Sequence, residues 1–437
     1  MTAVSTTGWA NFMKNKYGSK IHDQENNDIK LLELFNKNTS THNYNGETWI
    51  EAVKLERMAG TGARASTSAT LPTSIISTDL NATIAPRVDY ASVLFDGPTF
   101  ARMSGNNDGA FIEAKTYAMT SLLQDFNKFR NQTLQGDGSG RRALVNQATP
   151  STSLVIDGID GLSAPNDGWE TNTASNATRR FSVGRRITVR APTGGFRTNT
   201  GPITGITAST NTLTLSTLPT STADNDEILF EAESDGTNTG VTGSYTIMGM
   251  LGIVDDGTLV GTFQNISRST YPKWQASVDS NSGSLRPYDL QLLSDMATTI
   301  DEACGIDVAS DNYCLYGHPT VMTQVAHDGL AANRGALGDA KSGYASLPTV
   351  AVGHGFVPFK TDVDATPNRL FVLNKKYLDR WVAESLNWDN NSGAVLKDTG
   401  GADGTATDTF RAYLRCQDNF GTLQPNAHGV ISDIATQ

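Results

Sequence analysis

Six histidines, 45 acidic residues and three cysteines bound the chemistry that this chain can perform. Zinc chemistry needs histidines and acids at close spacing, but His22, His42, His318, His327, His354 and His428 are dispersed, with no HExxH and no i, i+4 pair. A structural role is the reading for all six. Asp255-Asp256-Gly257 and Asp362-Val363-Asp364 begin as calcium loops do, yet neither continues as spaced acids with a closing glutamate, so both read as turns or solvated edges. Cys304, Cys314 and Cys416 show no CxxC spacing and no catalytic frame, and GxSxG does not occur. The GDGSG run at 136–140 lacks the lysine of a phosphate loop and reads as a turn. Neither catalysis nor a metal or cofactor is expected.

Positive charge is the remaining chemistry. Lys54, Arg57 and Arg64 fall in one Gly- and Thr-rich stretch, and Arg179-Arg180 and Arg185-Arg186 in another. The whole chain carries a net charge of −11, which excludes a nucleic-acid binder of the basic kind. Solvated charge is the default for these residues. The sharper expectation is that Arg57 and Arg64 meet acidic groups on another protein, with Lys54 a further contact candidate.

The elements that must position these residues follow from composition and periodicity. The 437 residues allow two or three domains. Charged residues make up only 18%, below the roughly 25% usual in soluble proteins. Thr, Ser, Asn and 41 Gly take their place, which favours strands joined by many turns or surfaces buried against neighbours. No run of 18 apolar residues occurs, and the first twenty residues lack the apolar core of a signal peptide, so synthesis and use in the cytoplasm are expected.

Residues 1–45 read as an extended polar arm. WIEAVKLER, from Trp49, alternates as a strand, and Thr73 to Val88 returns as a second β-leaning run. Arms of about 15 residues at about 3.3 Å each would reach roughly 50 Å, and so long a hairpin needs another surface to lie on. Asp108 to Gln135 has the clearest helical period, with Asn107 or Asp108 as cap and Gly136 as stop; about 28 residues would make a rod of roughly 42 Å. FSVGRRITVRAP, GPITGITA, NTLTLSTLP and DEILFEAE read as strands of a small β-barrel or sandwich. Its expected core is Val183, Ile187, Val189, Ile203, Ile206, Leu213, Leu215, Ile228 and Phe230. A helix is expected near Pro287–Ala303 with Gly305 as its stop, then a buried strand at Tyr313–Tyr316 and a short helix opened by His318-Pro319. GFVPFK, RLFVL and FRAYLRCQ are further strand candidates. The fold class is α+β.

In order and in local sequence these pieces resemble the Hong Kong 97-type major capsid protein of tailed bacteriophages. LYGHPTVM is similar to that family's strand, His-Pro turn and helix; GFVPFKTDVDATPNRLFVLNKK to its strand pair with a P-N-R turn; NFGTLQPNAHGVISDI to a common chain ending. The resemblance covers most of the chain outside about 150–245. It implies an N-terminal arm (1–45), an extended hairpin or E-loop (46–90), a spine helix with the peripheral or P-domain (91–150), an inserted all-β domain (151–245), P-domain strands (246–284), an axial or A-domain (285–365) and C-terminal strands returning to both (366–437). It further implies a non-enzymatic subunit of pentamers and hexamers in an icosahedral head around double-stranded DNA, assembled in the host cytoplasm. Its partners would be its own copies, a scaffolding protein, a portal, a decoration protein and, weakly, packaged DNA, with no membrane. On that reading Lys54, Arg57 and Arg64 are contacts to an adjacent subunit.

Two features depart from the family. A charged scaffolding extension is missing, and Met1 favours a separate scaffold over a trimmed one. Lys54 is the only lysine at 46–90, and no matched asparagine and acid complete a cross-link. The rival is a β-rich tail or receptor-binding protein, which the Thr/Ser/Gly-rich stretch alone would fit. A secreted carbohydrate-active enzyme is a weaker third, since no signal peptide is seen.

Overall fold

The computed structural model describes residues 29–38, 43–63, 73–97, 112–147, 149–158, 177–192, 195, 197, 201–219, 221–230, 246–309, 312–325, 349–352, 355–390, 395–398 and 408–435. The architecture is α+β and rich in sheet, and its described parts form two compact units. One comprises 87–131 and 382–418; the other comprises 30–86, 132–381 and 419–437.

In the first unit, the strand Arg87–Asp96 runs antiparallel to Thr409–Gly421 through ten pairs, from Arg87 opposite Asp418 to Asp96 opposite Thr409. Alternation along Thr409–Gly421 sends Ala412, Leu414 and Cys416 to the buried face. Phe126 and Leu123 of the helix pack against Leu414 and Cys416. That helix spans Ile112–Thr133, 22 residues or roughly 33 Å at about 1.5 Å each, and ends two residues before the expected Gln135; residues 108–111, where it was expected to begin, lie outside the described residues. The proposed caps Asn107 and Asp108 lie outside the described residues. Asp379–Trp388 is a ten-residue strand that periodicity does not reveal, since WVAESLNW mixes strand and helix formers.

The second unit is built on a six-stranded mixed sheet. Its order is Ser277–Asp279, Gly429–Ile431, Leu370–Asn374, Tyr313–Gly317, Gly355–Thr361, Thr349–Val352. The two central strands, YCLYG and LFVLN, are buried at every position because both faces are covered. Tyr313, Leu315, Leu370 and Val372 face the helix Leu290–Cys304 through its Leu293, Met296 and Ile300. The alternate residues Cys314, Tyr316, Phe371 and Leu373 face a core with Ile247, Met250, Phe263 and Trp274. The helix begins at Asp289, whose side chain accepts from the Gln291 N–H, and ends at Gly305, where φ is +70°.

A second six-stranded sheet in this unit is antiparallel, in the order Ile187–Arg190, Glu227–Phe230, Ala143–Val145, Ser153–Asp157, Thr212–Leu215, Ile203–Thr207. Its pairing thus extends upstream of residue 151. Seven of the nine residues expected in its core are buried, joined by Leu154 and Ile156. Ile206 is half-buried. Val183 is 62% exposed, because Phe181–Arg185 is not a strand: Arg185 N–H donates to the Ser182 carbonyl, Gly184 takes φ +88°, and Val183 sits on the resulting turn.

Candidate functional site

The strand Trp49–Lys54 pairs with Asp79–Ile84 through six residues each, from Trp49 opposite Ile84 to Lys54 opposite Asp79. The ladder is therefore about 20 Å long, not the 50 Å expected; the outgoing arm at 59–63 is mostly Ala and Gly, which favour strands poorly. They still run side by side: Leu55 and Glu56 N–H both reach the Thr78 carbonyl, and Gly60 stands against Ser74 so closely that a Cβ would lie 3.2 Å from its Cα.

The base of this hairpin is fixed by burial. Trp49 and Ile84 pack with Trp381, and Tyr44 lies over Trp49 with ring centres 4.6 Å apart. Val53, Leu55, Leu80 and Ala82 join the main core, the Thr83 N–H donates to the Gln264 carbonyl, and the Asn419 amide donates to the Ala85 carbonyl. The far part is bare. Met58 is 60% exposed, Ile75 54% and Ile76 78%, so three large apolar side chains project from a segment whose root is firmly seated. Isolated exposed apolar residues are ordinary, but a group of them on a projecting element marks a binding surface.

Of the sequence candidates, Lys54 is exposed at the end of the ladder and Arg57 is exposed three residues on, each without an ion pair among the described residues. Arg64 lies outside the described residues. The structure thus places Lys54 and Arg57 on the same hairpin as three exposed apolar side chains that charge-based reading missed. The available signal was Met58, Ile75 and Ile76 in a run of small polar residues that offers no core.

The other candidates are structural. Asp255 accepts from the N–H groups of Gly257, Leu259 and Val260 and pairs with buried Arg268 at 3.1 Å, so it organises a turn. Arg268 also donates to the carbonyls of Gly252, Ile253, Val260 and Trp274; burial lowers its pKa to about 10. Asp362 is fully buried and accepts from the Tyr316 hydroxyl and the Asp364 N–H. Arg180 is not solvated charge: it is buried and donates to the Asp364 carbonyl at 2.8 Å. Arg185 stacks over Phe230, 3.7 Å from the ring centre. His428 is completely buried, its Nδ1 accepting from the Asn374 N–H and its Nε2 beside Thr422 Oγ1. His318 contacts Thr320 at the start of the short helix. His22, His42, His327 and His354 lie outside the described residues. Cys314 and Cys416 are buried and Cys304 is half-buried. Among the described residues no group of three His, Cys, Asp or Glu is placed to hold a metal, and no helix is long and apolar enough to cross a membrane.

Comparison of the whole fold defines the class: this chain has the fold of a phage capsid subunit. It superposes on a chain of the cyanophage A-1(L) capsid asymmetric unit with a TM-score of 0.57, at 12% identity, over 97% of each chain. A chain from the capsid of an empty GTA particle aligns over 100% of this chain and 99% of its own, at 8% identity and a TM-score of 0.49. No protein-family profile matches the sequence, and neither does any curated protein.

Proposed function

We propose that this chain is the major capsid protein of a tailed phage, a structural subunit that self-assembles into pentamers and hexamers of an icosahedral head around double-stranded DNA. The observation that carries the reading is a hairpin anchored at its base by Trp49, Ile84 and Trp381 while Met58, Ile75 and Ile76 stand bare at its far part. A monomer gains nothing from that arrangement; a shell in which each subunit lies on the next does. The capsid fold supports the same conclusion. On this reading the hairpin is the E-loop, the helix Ile112–Thr133 the spine of a P-domain, the mixed sheet with the helix Leu290–Cys304 the A-domain, and the antiparallel sheet reaching from Ala143 to Phe230 an inserted β domain. Lys54, Arg57 and Arg64 pair with acids of the adjacent subunit, each pair contributing little and the closed shell summing many. A separate scaffold, a portal, a decoration protein and DNA sliding along an acidic inner wall complete the set of partners. Assembly takes place in the host cytoplasm and the product is the virion.

Negative-stain microscopy of the expressed chain tests this. Polyhedral shells or capsomer rings are expected; tubes, trimers or stable monomers would overturn it. Arg64→Glu should lower particle yield and melting temperature, and unchanged values would remove Arg64 from the contact.

A further inference from the structure

The backbone of the hairpin carries a second feature. In an antiparallel pair, N–H and C=O groups of alternate residues point toward the partner strand and away from it. The Ile50 N–H donates to the Asn43 carbonyl, and the Thr83 N–H, directly across the ladder, to the Gln264 carbonyl, so both point outward. By the same alternation Ala52 and Lys54 turn their N–H and C=O groups away from Asp79–Ile84. The outer edge of Trp49–Lys54 is taken at its start by Tyr44, which bridges Trp49, and by Asn43; beyond them, among the described residues, no strand lies beside it and the outward groups of Ala52 and Lys54 meet no partner. Ala52 and Lys54 are also exposed. An open strand edge is a template for another extended chain.

Lys54 belongs both to that edge and to a cleft of about 240 Å³ lined by Val53, Leu55, Lys273, Trp274 and residues 423–426. The volume admits a few side chains, not a domain. Polar groups make up most of its wall, and buried Trp274 and Leu55 supply the apolar remainder. Lys273, like Lys54, is exposed and makes no ion pair among the described residues. The cleft therefore presents two cations that meet no carboxylate among the described residues. The chain itself carries 45 acidic against 34 basic side chains, so another copy is a ready source of carboxylates.

We infer that the open edge at Ala52 and Lys54 and the adjoining cleft receive an extended acidic segment of a second copy of this chain, which adds as a third strand and sets its carboxylates against Lys54 and Lys273. The inference rests on the proposed shell-building role and gives the root of the hairpin, not only its far part, an intermolecular task.

Zero-length carbodiimide coupling joins an amine to a carboxylate only where the two touch. Shells assembled from equal amounts of ¹⁴N- and ¹⁵N-labelled chain should yield, by mass spectrometry, Lys54 or Lys273 bonded to an Asp or Glu, with about half of those links joining unlike labels. Intact shells with no such link, with links only between like labels, or with links to a different protein would overturn the inference and leave the capsid reading standing. Failure of the wild-type chain to form shells overturns both. A second variant reads the edge itself: Ala52→Pro removes an outward N–H without breaking the existing ladder. It should lower shell yield at least several-fold while the circular dichroism of unassembled subunits is unchanged. Normal yield from that variant would overturn the added strand.

Discussion

Arg130 is a buried charge on the helix Ile112–Thr133 that pairs with two carboxylates of the strands beneath it. Its side chain is 1% exposed; Nε lies 3.1 Å from Asp89 and Nη2 2.5 Å from Asp418, whose side chain is wholly buried. Nη1 donates to Cys416 Sγ at 3.5 Å. Burial alone would lower the guanidinium's pKa, but Asp418, Cys416 and Asp89 outweigh it and hold the pKa above the usual arginine value. The group thus ties the helix Ile112–Thr133 to both strands beneath it. Arg130→Met strands a desolvated carboxylate at Asp418, and the expected loss is about 3–5 kcal/mol, the range for breaking one side of a buried pair. Asp418→Leu leaves Arg130 with Asp89 and should cost about 3 kcal/mol. The double variant should cost less than Arg130→Met alone, because apolar side chains replace the pair and Asp89, 12% exposed, can turn to water. Urea unfolding of unassembled subunits, followed by circular dichroism, measures all three; with a slope of about 1–3 kcal/mol/M the single variants should lose at least about 1 M in midpoint. Single losses below about 1 kcal/mol, or a double variant equal to the sum of the singles, would refute this account.

Three further outcomes are expected. His428 is held neutral, since burial takes its pKa from 6.5 down to about 3. Its contribution is present above pH 6.5 and is lost as pH falls from there toward 3, at up to about 1.4 kcal/mol per unit; His428→Gln should flatten that acid limb in unfolding titrations. Asp379 behaves oppositely: burial, then the charge of Glu51, raises its pKa to about 6, so its ionisation weakens the fold as pH rises from about 4 through 6. Asp379→Asn should therefore stabilise by about 1 kcal/mol at pH 7, allowing for partial solvent screening, with no advantage below about pH 4 in the same assay. Arg268→Met should cost about 3–5 kcal/mol, since it leaves Asp255 and several carbonyls without their donor; thermal melting of the unassembled subunit measures it.

Elements with a single strong period were legible. Tyr313–Gly317 and Leu370–Asn374 are apolar at successive positions because the sheet is covered on both faces, and the Leu290–Cys304 helix shows its apolar stripe and its stop at Gly305, though not its cap at Asp289. The strand Asp379–Trp388 was not legible, because its residues have no dominant local preference and its pairing partners are distant in sequence. Val183 misled for a related reason: it alternates like a strand residue, yet Gly184 turns the chain beneath it. At the candidate site, the basic residues Lys54 and Arg57 could be read directly, whereas the exposure of Met58, Ile75 and Ile76 could not.

The linear sequence by itself determined the mixed class, the absence of a recognisable catalytic motif and the acid excess, because composition and short-range periodicity carry those properties. Only the tertiary structure decided where that hairpin stops being buried. Exposure is a property of what packs from elsewhere: Trp381 and Gln264 hold the root through contacts hundreds of residues away along the chain, and nothing among the described residues covers the edge at Ala52 and Lys54 or the side chains of Met58, Ile75 and Ile76.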